Sequence, residues 1–540
     1  MTRAHLKLAS VTLLVSVLPA WPETGAAWSS FRQQAIVAAH QGLFPQAETL
    51  LRSGLTSLPD QNIAAAVVLW NELGGIHQSN GLLEEAEQDF NRALSINRQL
   101  PDADEEQSAV ALNNLGTIAG GREEPAKAEK LLTEAYQILE KTNRGESQTA
   151  ALVRGNLALT FQQEGRNQEA KPLYERAAAD TKRWFGQESI QYARILTNRA
   201  LLDMEIGTYQ EALANGRLAA AIQHRLPYVS DADRALTSNN LGFTLTEVGK
   251  YAEAEVWLLD AIRLEEKMPD GGSKLVSSLN NLAALEEKQG RLELAREQEL
   301  RAMKLVEGGA RVDDTVRAAI WNNLGRIAAS ERNNREARGF YAKAFEIWEK
   351  PPERKDVHYA ATLSNLAALE SAERRYKKAE VLYREAFAID ESQLGPSHPE
   401  VASDLSNIAT QLFYQKHHEQ ALELYGRARV IMEYSLGPSN LQVARTWRNM
   451  AVVSYARGDF DGSVHAYGRA VEALDSSSSG ADANLPAWLH EYAGALKKAQ
   501  RFGEAEAAET RALGIEVRTA LAKQQEPGRD VPQSRENGKT

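Results

Sequence analysis

The chain of 540 residues contains no cysteine. That absence excludes disulfides, thiolate zinc sites, iron–sulfur ligation, a cysteine nucleophile and a lipid-modified cysteine. A block of basic residues is missing too. Lys and Arg number 62 against 73 Asp and Glu, the net charge is −11, and the signs are mixed along the chain. No nucleic-acid footprint is therefore visible, and mild acidity favours solubility without naming a partner. Long apolar runs are scarce, and beyond the N-terminus no segment is long and apolar enough to cross a membrane. Chemistry-bearing motifs are lacking as well: there is no H-E-x-x-H and no G-x-S-x-G, and Gly120-Gly121 and Gly271-Gly272 read as loop pairs. His417 and His418 are adjacent in a helix–helix turn, where neighbouring side chains point apart. No catalytic residue, metal or cofactor is expected.

What is present begins at the N-terminus. Arg3, His5 and Lys7 precede the apolar run Leu8 to Leu18. A short positive region followed by such a run matches a secretory signal peptide, expected here over residues 1–27. Thr24-Gly25-Ala26 fits its cleavage pattern best, and a buried N-terminal helix is the alternative. The signal predicts export to the periplasm or outside the cell, from a bacterium. At the other end, residues 523–540 are polar and contain Pro and Gly, which predicts a disordered tail. Ser476 to Asp482 reads as a flexible break. Over the whole chain, 43% hydrophobic and 25% charged residues are those of a folded protein.

The body carries a ruler. Asn114, Asn156, Asn198, Asn240, Asn281, Asn323, Asn365, Asn407 and Asn449 are spaced by 42 residues, with one step of 41. Extending the ruler lands on Glu72 and Glu491. A period near 40 marks a solenoid of repeated helical hairpins. Two residues after each mark stands Gly or Ala, and one residue after is most often a large apolar residue, as in Leu115-Gly116 and Leu366-Ala367. The small residue allows close approach of a second helix.

That second helix has its own signature. Ala128, Leu132 and Ala135, or Ala379, Tyr383 and Ala386, fall at i, i+4 and i+7 on one face. Small–large–small is what a helix needs to nest between neighbours. Tyr341, Tyr383, Tyr425 and Tyr467 belong to this stripe and are expected in the core; Trp70, Trp321 and Trp447 are expected to pack. Five residues before the stripe, seven repeats place Gly, among them Gly81 and Gly249, where a left-handed helix cap is needed.

Together these features resemble the tetratricopeptide repeat. The period of about 42, with Leu394-Gly395-Pro396-Ser397-His398-Pro399 and Leu436-Gly437-Pro438-Ser439 leading into first helices, resembles its kinesin-light-chain subtype. The resemblance covers residues 28–522. It implies an all-α, right-handed α-solenoid of about twelve antiparallel helix-turn-helix hairpins, with first helices lining a concave groove. It also implies a non-enzymatic scaffold or adaptor that binds a protein or extended peptide there. A self-assembling architectural protein, or a peptide-sensing component acting through a separate output partner, are the alternatives. The nine Asn amides could read a peptide backbone, since each offers two donors and an acceptor, or could bond to one another and fix the repeat register. Arg194 with Asn198, and Arg445 with Asn449, resemble the basic-plus-Asn clamp that holds a carboxylate in some members.

Overall fold

A computed structural model of the protein describes residues 27–525, apart from 60–61, 123, 228, 269–271, 311, 313, 350–355 and 476–484. The expected signal peptide up to residue 26, the break at Ser476–Asp482 and the tail from residue 526 lie outside the described residues. Among the described residues there are 24 helices and no strand. They are α1 Ala27–His40, α2 Phe44–Thr56, α3 Ile63–Ser79, α4 Leu83–Arg98, α5 Glu105–Gly121, α6 Pro125–Lys141, α7 Gln148–Gln163, α8 Asn167–Phe185, α9 Ile190–Glu205, α10 Tyr209–Arg225, α11 Asp231–Glu247 and α12 Tyr251–Glu265. There follow α13 Gly272–Lys288, α14 Leu292–Glu307, α15 Asp314–Ser330, α16 Asn334–Trp348, α17 Val357–Ala372, α18 Tyr376–Leu394, α19 Pro399–Tyr414, α20 His418–Leu436, α21 Leu441–Arg457, α22 Phe460–Asp475, α23 Leu485–Lys498 and α24 Phe502–Gln525.

The helices form two compact units, one running to Asn281 without Leu245–Glu253, the other holding that short segment and everything from Leu282 onward. Within each unit a first helix packs on the second helix after it, and that second helix packs on the next first helix, as in α5, α6 and α7 or α19, α20 and α21. This is the all-α solenoid architecture.

Local chemistry sets the hairpins. First helices open on side-chain caps: Asp104 accepts from the Glu106 N–H, Ser147 from Ala150, Ser189 from Tyr192 and Asn440 from Gln442. These bonds satisfy helix N–H groups that have no intrahelical partner. Several second helices, including α4, α8, α18 and α20, have no such cap. They follow instead a residue in the left-handed region, such as Gly81 at φ 78° and Gly165 at φ 75°. There the turn closes by backbone bonds, as from Leu82 N–H to His77 C=O at 2.9 Å.

The two stripes mate within each hairpin. A Cβ added at Gly116 would stand 2.7 Å from Leu132 Cγ, and one at Gly325 would stand 2.5 Å from the Tyr341 ring. Gly74 with Phe90 and Gly242 with Leu258 repeat the arrangement at 2.7 Å. The recurrent tyrosines Tyr341, Tyr383, Tyr425 and Tyr467 are buried. Trp70 and Trp321 are half-buried instead, each beneath a cation of its own second helix: Arg92 lies 4.4 Å and Lys343 4.1 Å from the ring centre.

Candidate functional site

The ruler residues stand on first helices, and the structure sorts them by exposure. Asn114, Asn156, Asn198, Asn240, Asn281, Asn323 and Asn365 are buried. Asn407 and Asn449 are partly exposed.

Three of the buried amides are held by a bond whose partner lies one residue beyond the period. Asn156 Nδ2 donates to Asn113 Oδ1 at 2.9 Å, Asn281 to Asn239 at 2.9 Å and Asn365 to Asn322 at 3.0 Å. In each case the ruler residue of one repeat bonds the residue just before the ruler in the previous repeat. Towards both ends the same register carries different chemistry: the Arg32 guanidinium meets Glu72, and that of Arg448 meets Glu491, each at 2.8 Å through Nε. Asn323 is the variant, donating to Glu299 at 2.7 Å. Burial raises the Glu299 carboxyl well above its ordinary range, against the hydrogen bond from Asn323. The repeat before the ruler thus supplies a partner that the search for equal spacing does not look for. Its sequence signal is the Asn-Asn doublet at Asn113, Asn239, Asn280 and Asn322.

Arg194 is bonded already. Asp233 receives its Nε at 3.0 Å and its Nη2 at 2.9 Å, and Ser230 also donates to Asp233 at 2.7 Å. A bidentate carboxylate occupies the fork that a ligand carboxylate would need. Asn198 beside it is buried.

Conditions differ at α19 and α21. On α19, Asn407, Thr410 and Tyr414 fall at i, i+3 and i+7 and share one face. Asn407 and Thr410 are partly exposed and Tyr414 is 50% exposed. On α21, Arg445 is exposed one turn before Asn449, and among the described residues no carboxylate forms an ion pair with it. Val452 is partly exposed and Tyr455 is exposed. Behind them Tyr425 bonds Thr410 Oγ1 at 2.7 Å. Burial raises the Tyr425 hydroxyl to about 12, with hydrogen bonds to Thr410 and Asn449 acting the other way. Its neutral hydroxyl therefore fixes both helices from below. The surface offers an amide, a free guanidinium and aromatic rings, a set suited to a polypeptide's backbone and side chains. It contains no nucleophile–base pair. Among the described residues no group of three or more His, Asp or Glu could hold a metal. None of the described helices is long and apolar enough to span a membrane.

Comparison with known proteins gives consistent matches. A tetratricopeptide repeat model matches residues 65–141, 233–307, 316–392 and 358–433, and a second matches 151–191. A TPR repeat-containing protein of Dictyostelium discoideum is 30% identical over 154 residues, which are 28% of this chain and 9% of that protein. The matching region is thus under a tenth of that relative's length. Among solved structures, BtubC (BKLC) from P. vanneervenii is 21% identical, with 45% of this chain and 92% of the other covered and a TM-score of 0.33. The apo form of the quorum sensor NprR from B. thuringiensis is 15% identical, with 67% and 98% covered and a TM-score of 0.49.

Proposed function

The chain belongs to the tetratricopeptide repeat family, and from that premise we propose that it is a non-enzymatic scaffold binding a protein or extended peptide on the first-helix face of α19 and α21. The opening of the ruler at Asn407 and Asn449 carries this reading. Earlier ruler residues are buried, while these two are reachable and stand among Arg445, Tyr414 and Tyr455. Asn407 and Asn449 meet the ligand's backbone, and Arg445 meets a carboxylate. The period of 42 and the two Leu-Gly-Pro-Ser loops support the kinesin-light-chain-like subtype. The positive and apolar pattern of residues 3–18 supports export from the cytoplasm, which fractionation of the native cells checks.

A photocrosslinking residue at Val452 tests the binding reading, with exposed Val256 of α12 as the control position. The expected outcome is a discrete crosslinked partner at Val452, lost when Asn407 and Arg445 are changed to Ala at unchanged melting temperature. Equal crosslinking at both positions contradicts the proposal.

A further inference from the structure

The left-handed turn position of the hairpins holds Gly in some repeats and a side chain in others, in the last repeat the uncharged Gln500 at φ 61°. Seven repeats place Gly there: Gly42, Gly81, Gly165, Gly207, Gly249, Gly290 and Gly458, with φ between 75° and 85°. Three consecutive repeats of the second unit place cations instead: Arg332 at φ 63°, Arg374 at φ 62° and Lys416 at φ 69°. A side chain in this region is strained, because its Cβ crowds the following carbonyl. Strain of this kind persists where the surroundings hold it and marks positions with a use. Gly at the same position in other repeats shows that the fold itself does not require a side chain.

All three cations are exposed. Arg335 and Lys377, two residues before their helix stripes, are exposed beside them. Among the described residues none of the five forms an ion pair. Their neighbours are neutralised: Arg338, Arg375 and Lys378 converge on buried Glu370. These bonds outweigh the opposing effect of burial and hold Glu370 down to about 2. Two of the free cations, Arg374 and Lys377, border an open cleft of about 440 Å³ that is also lined by Arg375, Tyr376, Gln415 and His417. Its aromatic wall is firm, since Tyr376 stacks on Tyr414 with ring centres 4.7 Å apart. Gln415 is turned to Glu380 at 2.7 Å.

We propose that this turn edge, α15–α16 to α19–α20, is a second binding surface for an acidic segment of a partner protein, with one carboxylate side chain seated in the cleft between Arg374, Lys377 and His417. Charge complementarity selects the occupant. Clustered unpaired cations attract a short run of carboxylates. A long polyanion meets the repulsion of a chain with net charge −11. The surface lies on the turns and shares Tyr414 with the first site but uses none of Asn407, Arg445 and Asn449, so variants at those three residues and at the cations report on the two sites separately.

The test uses the full chain and a fluorescein-labelled decaglutamate peptide, followed by anisotropy at low salt. The variant R332G/R374G/K416G removes three charges and relieves three strained residues together. It is expected to melt at a higher temperature than the parent and to bind decaglutamate at least ten-fold more weakly. R332K/R374K retains the affinity, and so does N407A/R445A/N449A. Three results overturn the proposal: unchanged affinity in the triple-glycine variant, binding of decaglutamate no tighter than a Gly-Ser peptide, or displacement by a DNA oligonucleotide of equal charge at lower concentration than by unlabelled decaglutamate.

Discussion

A single amide in this protein is understood through the residue one period and one step away. Asn156 needs Asn113, and Asn365 needs Asn322. Asn113→Ala and Asn156→Ala each leave a buried polar group without its partner and are expected to lose about 1–3 kcal/mol of stability. The double variant is expected to lose less than the sum, with a coupling of about 1 kcal/mol in a denaturation cycle. Glu265 supplies a pH prediction. It is buried, and burial pushes its carboxyl up to about 7 against a hydrogen bond from Ser278. The folded chain then holds a proton that the unfolded chain has released. Its contribution is complete below the ordinary carboxyl range and is lost as pH rises through about 7, by roughly 3 kcal/mol at most. Melting temperature is expected to fall between about pH 5 and pH 7 and to level off above that, and Glu265→Gln to flatten that slope. The ruler asparagines were legible in the sequence because they recur. Their partners were not, because that position is Asn in some repeats and Gly155, Thr197, Ser364 or Arg448 in others. Where that position is not Asn the bond is replaced or missing: Arg448 pairs with Glu491, while Gly155 has no side chain to offer.

At the scale of a helix, packing was the most legible feature. Small and large stripes at i, i+4 and i+7 are dictated by helix geometry, and the mating of Gly325 with Tyr341 follows them. Gly325→Ala gains helix propensity yet forces the Tyr341 ring aside. A net loss of about 1–2 kcal/mol is expected by denaturation, since overpacking outweighs a propensity gain of about 1 kcal/mol. Turns were legible where Gly marked them and opaque where Arg332, Arg374 and Lys416 stood. Nothing in local propensity favours a cation at positive φ, so these residues read as ordinary polar turn residues. The helix capped at Asn440 ends at Gly458 with φ 85°, as the glycine position required.

For the whole molecule, the repeat count and the all-α architecture followed from a single periodicity, because each hairpin solves the same burial problem. Which ruler residues are exposed did not follow from it. Periodicity treats Asn114 and Asn407 as equals, whereas exposure separates them, and exposure depends on how successive first helices close over one another. Seven ruler amides are buried, while Asn407 is partly exposed and is proposed to meet a partner. Calorimetric melting of N156A, N365A and N407A tests it most directly. Losses of about 1–3 kcal/mol are expected for N156A and N365A, with a change under about 0.5 kcal/mol for N407A. Equal losses at all three positions would contradict it.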